Sequence, residues 1–283
     1  MTNGTPGGTV IIDRMMREQR TVLRGHVTRY LEAGFGEALV LLHPFPLSAD
    51  AWRAQLEAVP RGWRYIAPDL RGLGGSAING GIEIGMNDYA GDVLALMNAL
   101  NLGRAALGGL SMGGYVAFAV HRLAPERIRG LVLADTRPQA DTEEGVRARV
   151  TSLDLVRGRG VRALGEQMLG KLLGETTRSA RPELTTEILR LIEGNPQPGV
   201  EAAIYAMMRR PDSTPDLAGI RCPTLVIVGA EDTITPPADA EAMHRAIAGS
   251  RLHRIAGAGH LSNLEAPADF STTINGWVES LHQ

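Results

Sequence analysis

The stretch ALGGLSMGGYVAFAV, residues 106–120, sets one serine, Ser111, among glycines 108, 109, 113 and 114. Glycine gives up more backbone freedom on folding than any other residue, so a cluster of glycines points to a sharp bend or a close approach. Ser111 ends the apolar run AALGGL (105–110) and precedes Val116, Ala119, Val120 and Leu123 at helical spacing, which puts it on a strand-to-helix turn. Gly109, Ser111 and Gly113 form G-x-S-x-G, the pattern of a nucleophile elbow, in which strand and helix cross too closely for flanking side chains. Strain there would hold the hydroxyl proud of the sheet, with the N-terminus of the following helix aimed at developing negative charge.

Outward from this turn, short apolar runs alternate with helical patterns. ALVLL (38–42), RYIAP (64–68), LVLAD (131–135), TLVIV (224–228) and RLHRI (251–255) read as strands, mostly continuous, as strands buried on both faces are. MNDYAGDVLALMNALNLG (86–103) and PADFSTTINGWVESL (267–281) carry apolar residues at helical spacing, the first with Gly103 as a C′ glycine. The repetition predicts an α/β fold, a mainly parallel sheet flanked by helices, with RTVLRGHVTRYLEAG (20–34) as a hairpin edge. Residues 136–215 break the alternation with helical patterns alone, opening on a capping box of Asp141 with Glu144. They are expected to form an inserted helical cap, between core segments 19–135 and 216–283. Residues 1–18 are expected to be a flexible tail.

The chain has 283 residues, 44% of them hydrophobic, enough for one sizeable core and a small insert. A formal net charge of −2 offers no basic field for nucleic acid or an anionic membrane. The single cysteine, Cys222, excludes an intramolecular disulfide, and the N-terminal stretch has no long apolar run of a signal peptide. A cytoplasmic protein is expected. No H-E-x-x-H or clustered Cys/His spacing implies a metal. Lys171, the only lysine, is followed by Leu172, which excludes a P-loop. No cofactor is expected.

Five motifs in order, LLHPFPLSADAW, PDLRGLGGS, GGLSMGG, VGAEDTITPP and GAGHLSNLEAP, make the chain resemble the α/β-hydrolase superfamily from about residue 20 to its end, and within it the capped carboxylesterases and lactonases. A serine nucleophile needs a base and an orienting acid. Of seven histidines, His260 follows the last strand inside GAGHLS and matches the family's base position. His43 also ends a strand near the site, and the resemblance gives it a structural role beside the oxyanion loop. Asp232, in the loop after TLVIV, is favoured as the acid, because Ser111, Asp232, His260 reproduces the family's chain order. Asp135 and Glu231 are its rivals.

The oxyanion donors are expected to be the backbone N–H groups of Met112, directly after the nucleophile, and of Phe45. Where the family usually has His-Gly, this chain has His43-Pro44-Phe45-Pro46, so Phe45 carries the only main-chain donor of Pro-Phe-Pro. The motif around Asp69 and Arg71 is assigned to architecture. In the cap, Tyr205, Met207 and Met208 are expected to face the substrate. These residues imply a serine hydrolase acting on small to medium uncharged carboxylic esters through an acyl-enzyme, with a small-molecule partner and oligomeric state left open. The alternatives are an enol-lactonase or C–C bond hydrolase of aromatic degradation, in which Arg137, Arg209 or Arg210 grips a substrate carboxylate, and a ligand receptor built on a hydrolase scaffold.

Overall fold

The computed structural model describes residues 15–79 and 83–281. Eight strands form one sheet: β1 (Arg17–Leu23), β2 (His26–Gly34), β3 (Glu37–Leu42), β4 (Trp63–Pro68), β5 (Ala105–Leu110), β6 (Ile128–Ala134), β7 (Thr224–Gly229) and β8 (Arg251–Ile255). Their spatial order is β1-β2-β4-β3-β5-β6-β7-β8. β1 pairs antiparallel with β2, and β2 with β4; the remaining pairs are parallel. The apolar runs become strands because both faces are covered: β3 is buried after its first residue, and β5 and β7 throughout. Residues 1–14 of the expected tail lie outside the described residues, but its boundary moves, since β1 begins at Arg17 and Arg17 pairs with Glu32.

Helices α1 (Arg53–Glu57), α2 (Met86–Ala99) and α3 (Met112–Leu123) belong to the first half of the chain. Between β6 and β7 come α4 (Glu143–Leu172), α5 (Glu175–Ala180), α6 (Pro182–Glu193) and α7 (Gln197–Met208), and after β7 come α8 (Pro237–Ala246), α9 (Ser262–Glu265) and α10 (Pro267–Ser280). α2 packs on α3 and α1 on α10, where the Trp52 and Phe270 rings lie 5.8 Å apart. No helix among the described residues is long and apolar enough to cross a membrane.

Two helix ends differ from the sequence expectations. α2 is closed by Asn101, not Gly103: Asn101 takes φ 56°, its N–H bonds the Asn98 carbonyl, and the Leu102 N–H bonds the Met97 carbonyl. This is a Schellman ending, in which asparagine supplies the left-handed residue. α4 is capped by Thr142, whose hydroxyl accepts the Gly145 N–H at 3.2 Å, rather than by Asp141. Asp141 is drawn instead into ion pairs with Arg210 at 2.8 Å and Arg149 at 3.1 Å. α4 is also interrupted at Gly160, whose φ of 82° and ψ of 174° are not helical.

Helices α4, α5, α6 and α7 pack on one another and are fastened to the rest of the molecule by side chains. Asn195 accepts the Gly74 N–H at 2.8 Å and donates to the Pro46 carbonyl at 2.8 Å. A Cβ on Gly199 would fall on the Gly72 carbonyl, so α7 meets the PDLRGLGGS loop backbone to backbone. Within that loop Asp69 accepts from Ala49 N–H, Gly75 N–H and Arg29, the architectural role expected of the motif.

Candidate active site

The sheet delivers the candidate residues to one edge. Ser111 follows β5, Asp135 follows β6, Asp232 lies just beyond β7, His260 beyond β8 and Phe45 beyond β3, the carboxyl ends at which open α/β sheets build their sites. The elbow is as tight as the glycines imply. A Cβ on Gly109 would strike the Gly113 carbonyl, and one on Gly113 the carbonyl of Leu42 in β3. Ser111 itself sits at φ 53°, ψ −114°, a conformation costing about 1–3 kcal/mol that persists only where the surroundings impose it. They do so on both sides: Ser111 N–H donates to the Ala134 carbonyl at 2.9 Å, and the Thr136 hydroxyl donates to the Ser111 carbonyl at 2.8 Å.

Ser111 Oγ lies 2.8 Å from His260 Nε2, and His260 Nδ1 lies 2.8 Å from Asp232 Oδ2. A carboxylate only accepts, so Nδ1 carries the proton and Nε2 is left to accept from the serine hydroxyl. Asp232 is 3% exposed. Its Oδ1 accepts the Ile234 and Thr235 N–H groups, and the Thr235 hydroxyl donates to Oδ2 at 2.7 Å. Burial opposes its ionisation, but the His260 charge and the His260 and Thr235 hydrogen bonds outweigh that and hold its carboxyl below the usual range.

The rivals are engaged elsewhere. Asp135, with φ 42°, accepts the Gly229 N–H at 2.8 Å and the Ser262 hydroxyl at 2.5 Å. Its carboxyl is pushed well above the usual value, first by burial and then by the negative charge of Asp232. Glu231 turns to the insert, accepting the Thr176 N–H at 3.0 Å and the Thr176 hydroxyl at 2.5 Å. His43 spends both ring nitrogens: Nε2 accepts the Leu70 N–H at 2.9 Å and Nδ1 donates to the Pro44 carbonyl at 3.0 Å. Burial lowers its pKa, and it acts as a strut between the Phe45 loop and the loop after β4.

Met112 opens α3, where a helix leaves its N–H groups without intrahelical acceptors, and Phe45 lies buried just past β3. The three insert side chains expected at the substrate are less uniform. Tyr205 is held between Arg157 and Arg209, with Arg157 donating to its hydroxyl at 3.0 Å. Met207 is buried in the core and Met208 half-buried against it. Of the three arginines, Arg210 is locked by Asp141, the Met207 and Gln139 carbonyls and the Tyr115 ring, and Arg209 is exposed. Arg137 borders a cavity of about 730 Å³ with Arg149, Lys171, Thr233 and Ile234. Its Nη1 lies 4.0 Å from Asp239 Oδ2, and its Nε is buried without a hydrogen-bond partner among the described residues.

Residues with no role in the sequence reading also shape the site. Thr136 braces the elbow, Thr235 braces Asp232, Ser262 occupies Asp135, and Glu265 binds the loop that carries His260. Thr235 lies in VGAEDTITPP and Ser262 and Glu265 in GAGHLSNLEAP, while Thr136 lies outside every motif; none of the four is marked by its residue type, and the roles of Thr136 and Ser262 exist only through partners far away in the chain.

The model of the family described as alpha/beta hydrolase fold matches residues 37–267. An esterase from Thermogutta terrifontis, solved with malate bound, is 39% identical and superposes with a TM-score of 0.89 over 94% of this chain and 100% of its own. The enol-lactonase of Burkholderia xenovorans is 26% identical, with a TM-score of 0.85 over 92% and 100% of the two chains. 3-Oxoadipate enol-lactonase 1 of Acinetobacter baylyi is 28% identical over 86% of this chain and 89% of its own.

Proposed function

This chain belongs to the α/β-hydrolase fold family, and from that premise we propose that it is a serine hydrolase cleaving carboxylic esters through an acyl-enzyme. The observation that carries the reading is the unbroken chain of hydrogen bonds from Ser111 Oγ through His260 to Asp232, 2.8 Å at each step. Ser111 Oγ attacks the ester carbonyl carbon while its proton passes to His260 Nε2, and Asp232 stabilises the imidazolium. The negative oxygen of the tetrahedral intermediate accepts from the Met112 and Phe45 N–H groups. His260 then returns the proton to the departing alkoxide, leaving the acyl group on Ser111. Water adds in the second half with His260 as base, and collapse frees the acid and regenerates the serine. The helices of residues 143–208 act as a cap over this centre, and the esterase resemblance supports the substrate class.

Ser111→Ala removes the nucleophile without adding bulk to the elbow. Hydrolysis of neutral p-nitrophenyl esters should be abolished, with thermal unfolding unchanged, and a fluorophosphonate should label the wild type but not the variant. Wild-type-like turnover by that variant would end the reading.

A second reading is favoured by Arg137. Arg137, with a buried, unpartnered Nε and an Nη1 4.0 Å from Asp239, borders with Lys171 a cavity that also holds the Arg149–Asp141 pair, a setting that suits a substrate carrying a carboxylate, and enol-lactonases are among the relatives. In that reading Arg137→Met would raise KM for a carboxylate-bearing lactone and leave a neutral ester unaffected.

A further inference from the structure

We propose that Glu265 is a positioning residue for the reaction at Ser111, acting through His260, and that its carboxylate binds the insert and the histidine loop into one unit. This rests on the serine-hydrolase reading above.

His260 stands on residues 256–261, a segment with neither helix nor strand to hold its backbone. Yet the imidazole has to meet two partners at once, Ser111 Oγ and Asp232 Oδ2, each at 2.8 Å. Glu265, at the end of α9 and 7% exposed, folds back over this segment. Its Oε1 accepts the Gly259 N–H at 2.9 Å and the Leu261 N–H at 3.2 Å, the two amides that flank His260. A single oxygen thus clamps the peptide on either side of the histidine. Charge-assisted bonds of this kind are roughly twice as strong as neutral ones.

The other oxygen reaches the insert. Glu265 Oε2 accepts the Gly174 N–H at 2.9 Å, from the connection between α4 and α5. The Leu261 N–H also donates to the Leu172 carbonyl at 3.1 Å. Gly259 has no room for a side chain, since a Cβ there would strike Gly174 N and crowd Leu173. Residues 172–174 therefore lie directly on the histidine loop, and displacing them strips partners from the carboxylate that holds His260. Any opening of the insert must pivot elsewhere. Arg181, just before α6, adds bonds to the Leu264 and Glu265 carbonyls, but touches neither amide beside the histidine.

Glu265→Gln preserves the shape but brings an NH2 group against N–H donors and removes the charge. It should lower kcat on a neutral p-nitrophenyl ester by roughly 10²-fold, the scale of a small misplacement of a reacting group, with KM nearly unchanged. Labelling of Ser111 by a fluorophosphonate should slow in proportion. Glu265→Asp keeps the charge one methylene short and should recover part of the loss, while Arg181→Ala should keep wild-type kcat. A purely structural Glu265 would instead give folded variants with a lowered melting temperature, wild-type kcat and wild-type labelling rate, and that result overturns the proposal. If Glu265→Gln does not fold, Glu265→Asp decides: reduced kcat at unchanged KM supports the role, and wild-type kcat and labelling overturn it. Failure of the wild-type protein to be labelled at Ser111 would overturn the serine-hydrolase reading and the positioning role with it.

Discussion

Two buried aspartates lie at neighbouring strand ends, and their surroundings drive them to opposite protonation behaviour. Asp232 faces an imidazole and Asp135 faces a serine hydroxyl and a backbone N–H. Asp232→Asn should lower kcat by roughly 10⁴-fold with little change in KM, because the acid fixes the histidine tautomer. Asp135→Asn should cost at most a few-fold. Stability separates them as well, and the signs are opposite. An unfolded aspartate ionises near pH ~3.9. The folded Asp135 carboxyl is raised, so above that pH the unfolded chain loses its proton first and native stability declines until the folded carboxyl ionises too. Asp135→Asn removes that decline, and its advantage over wild type in urea unfolding should grow from about pH 4 upward. The folded Asp232 carboxyl is depressed, so its contribution is present above the unfolded value and disappears as pH falls through the folded one. The chain order already favoured Asp232, but the choice between two acidic strand ends rests on which carboxylate reaches Nδ1, a matter of spatial neighbours rather than of spacing.

At the level of elements, the strand ladder was legible because its signal is local: continuous apolar runs must be covered on both faces, and AALGGL coincides with β5 and TLVIV falls within β7, both buried throughout. Helix ends were less legible. Asn101 and Gly103 can both close a helix, and Asp141 and Thr142 can both open one; hydrogen bonding of the last turn selected the first, and the pull of Arg210 on Asp141 decided the second. The elbow and the last helix make contrasting tests of glycine. Gly109→Ala drives a methyl into the Gly113 carbonyl, and as overpacking should cost about 1–3 kcal/mol and most of the activity. Gly276 lies exposed within α10, and a Cβ there meets nothing within 4 Å. Gly276→Ala should therefore stabilise the protein by ~0.5–1 kcal/mol, the helix-interior cost of glycine, without altering turnover. Chemical denaturation of the two variants checks both.

Across the whole molecule, the insert is anchored at several separate places. Asn195 ties it to Gly74 and to Pro46, the residue after Phe45, while Glu231 and Glu265 tie it to the loops of Asp232 and His260. Asn195 is 4% exposed, so Asn195→Ala strands a half-buried N–H and a buried carbonyl and should cost about 1–3 kcal/mol in urea unfolding. Because the Pro46 carbonyl is one of the stranded groups, kcat should fall as well.

The sheet, the elbow and the Ser111, Asp232, His260 order were readable from the residues in line, since buried strands, glycine crowding and the family's motif spacing are written in contiguous stretches. Tertiary structure alone decided that Asp135 belongs to Ser262, that Tyr205 lies between two arginines, and that Glu265 clamps the loop of His260. Ser262 reaches Asp135 across 127 residues and Arg157 reaches Tyr205 across 48, while Glu265 meets nearby amides only because the chain folds back at α9; a side chain's role follows from the donors and acceptors it meets in space.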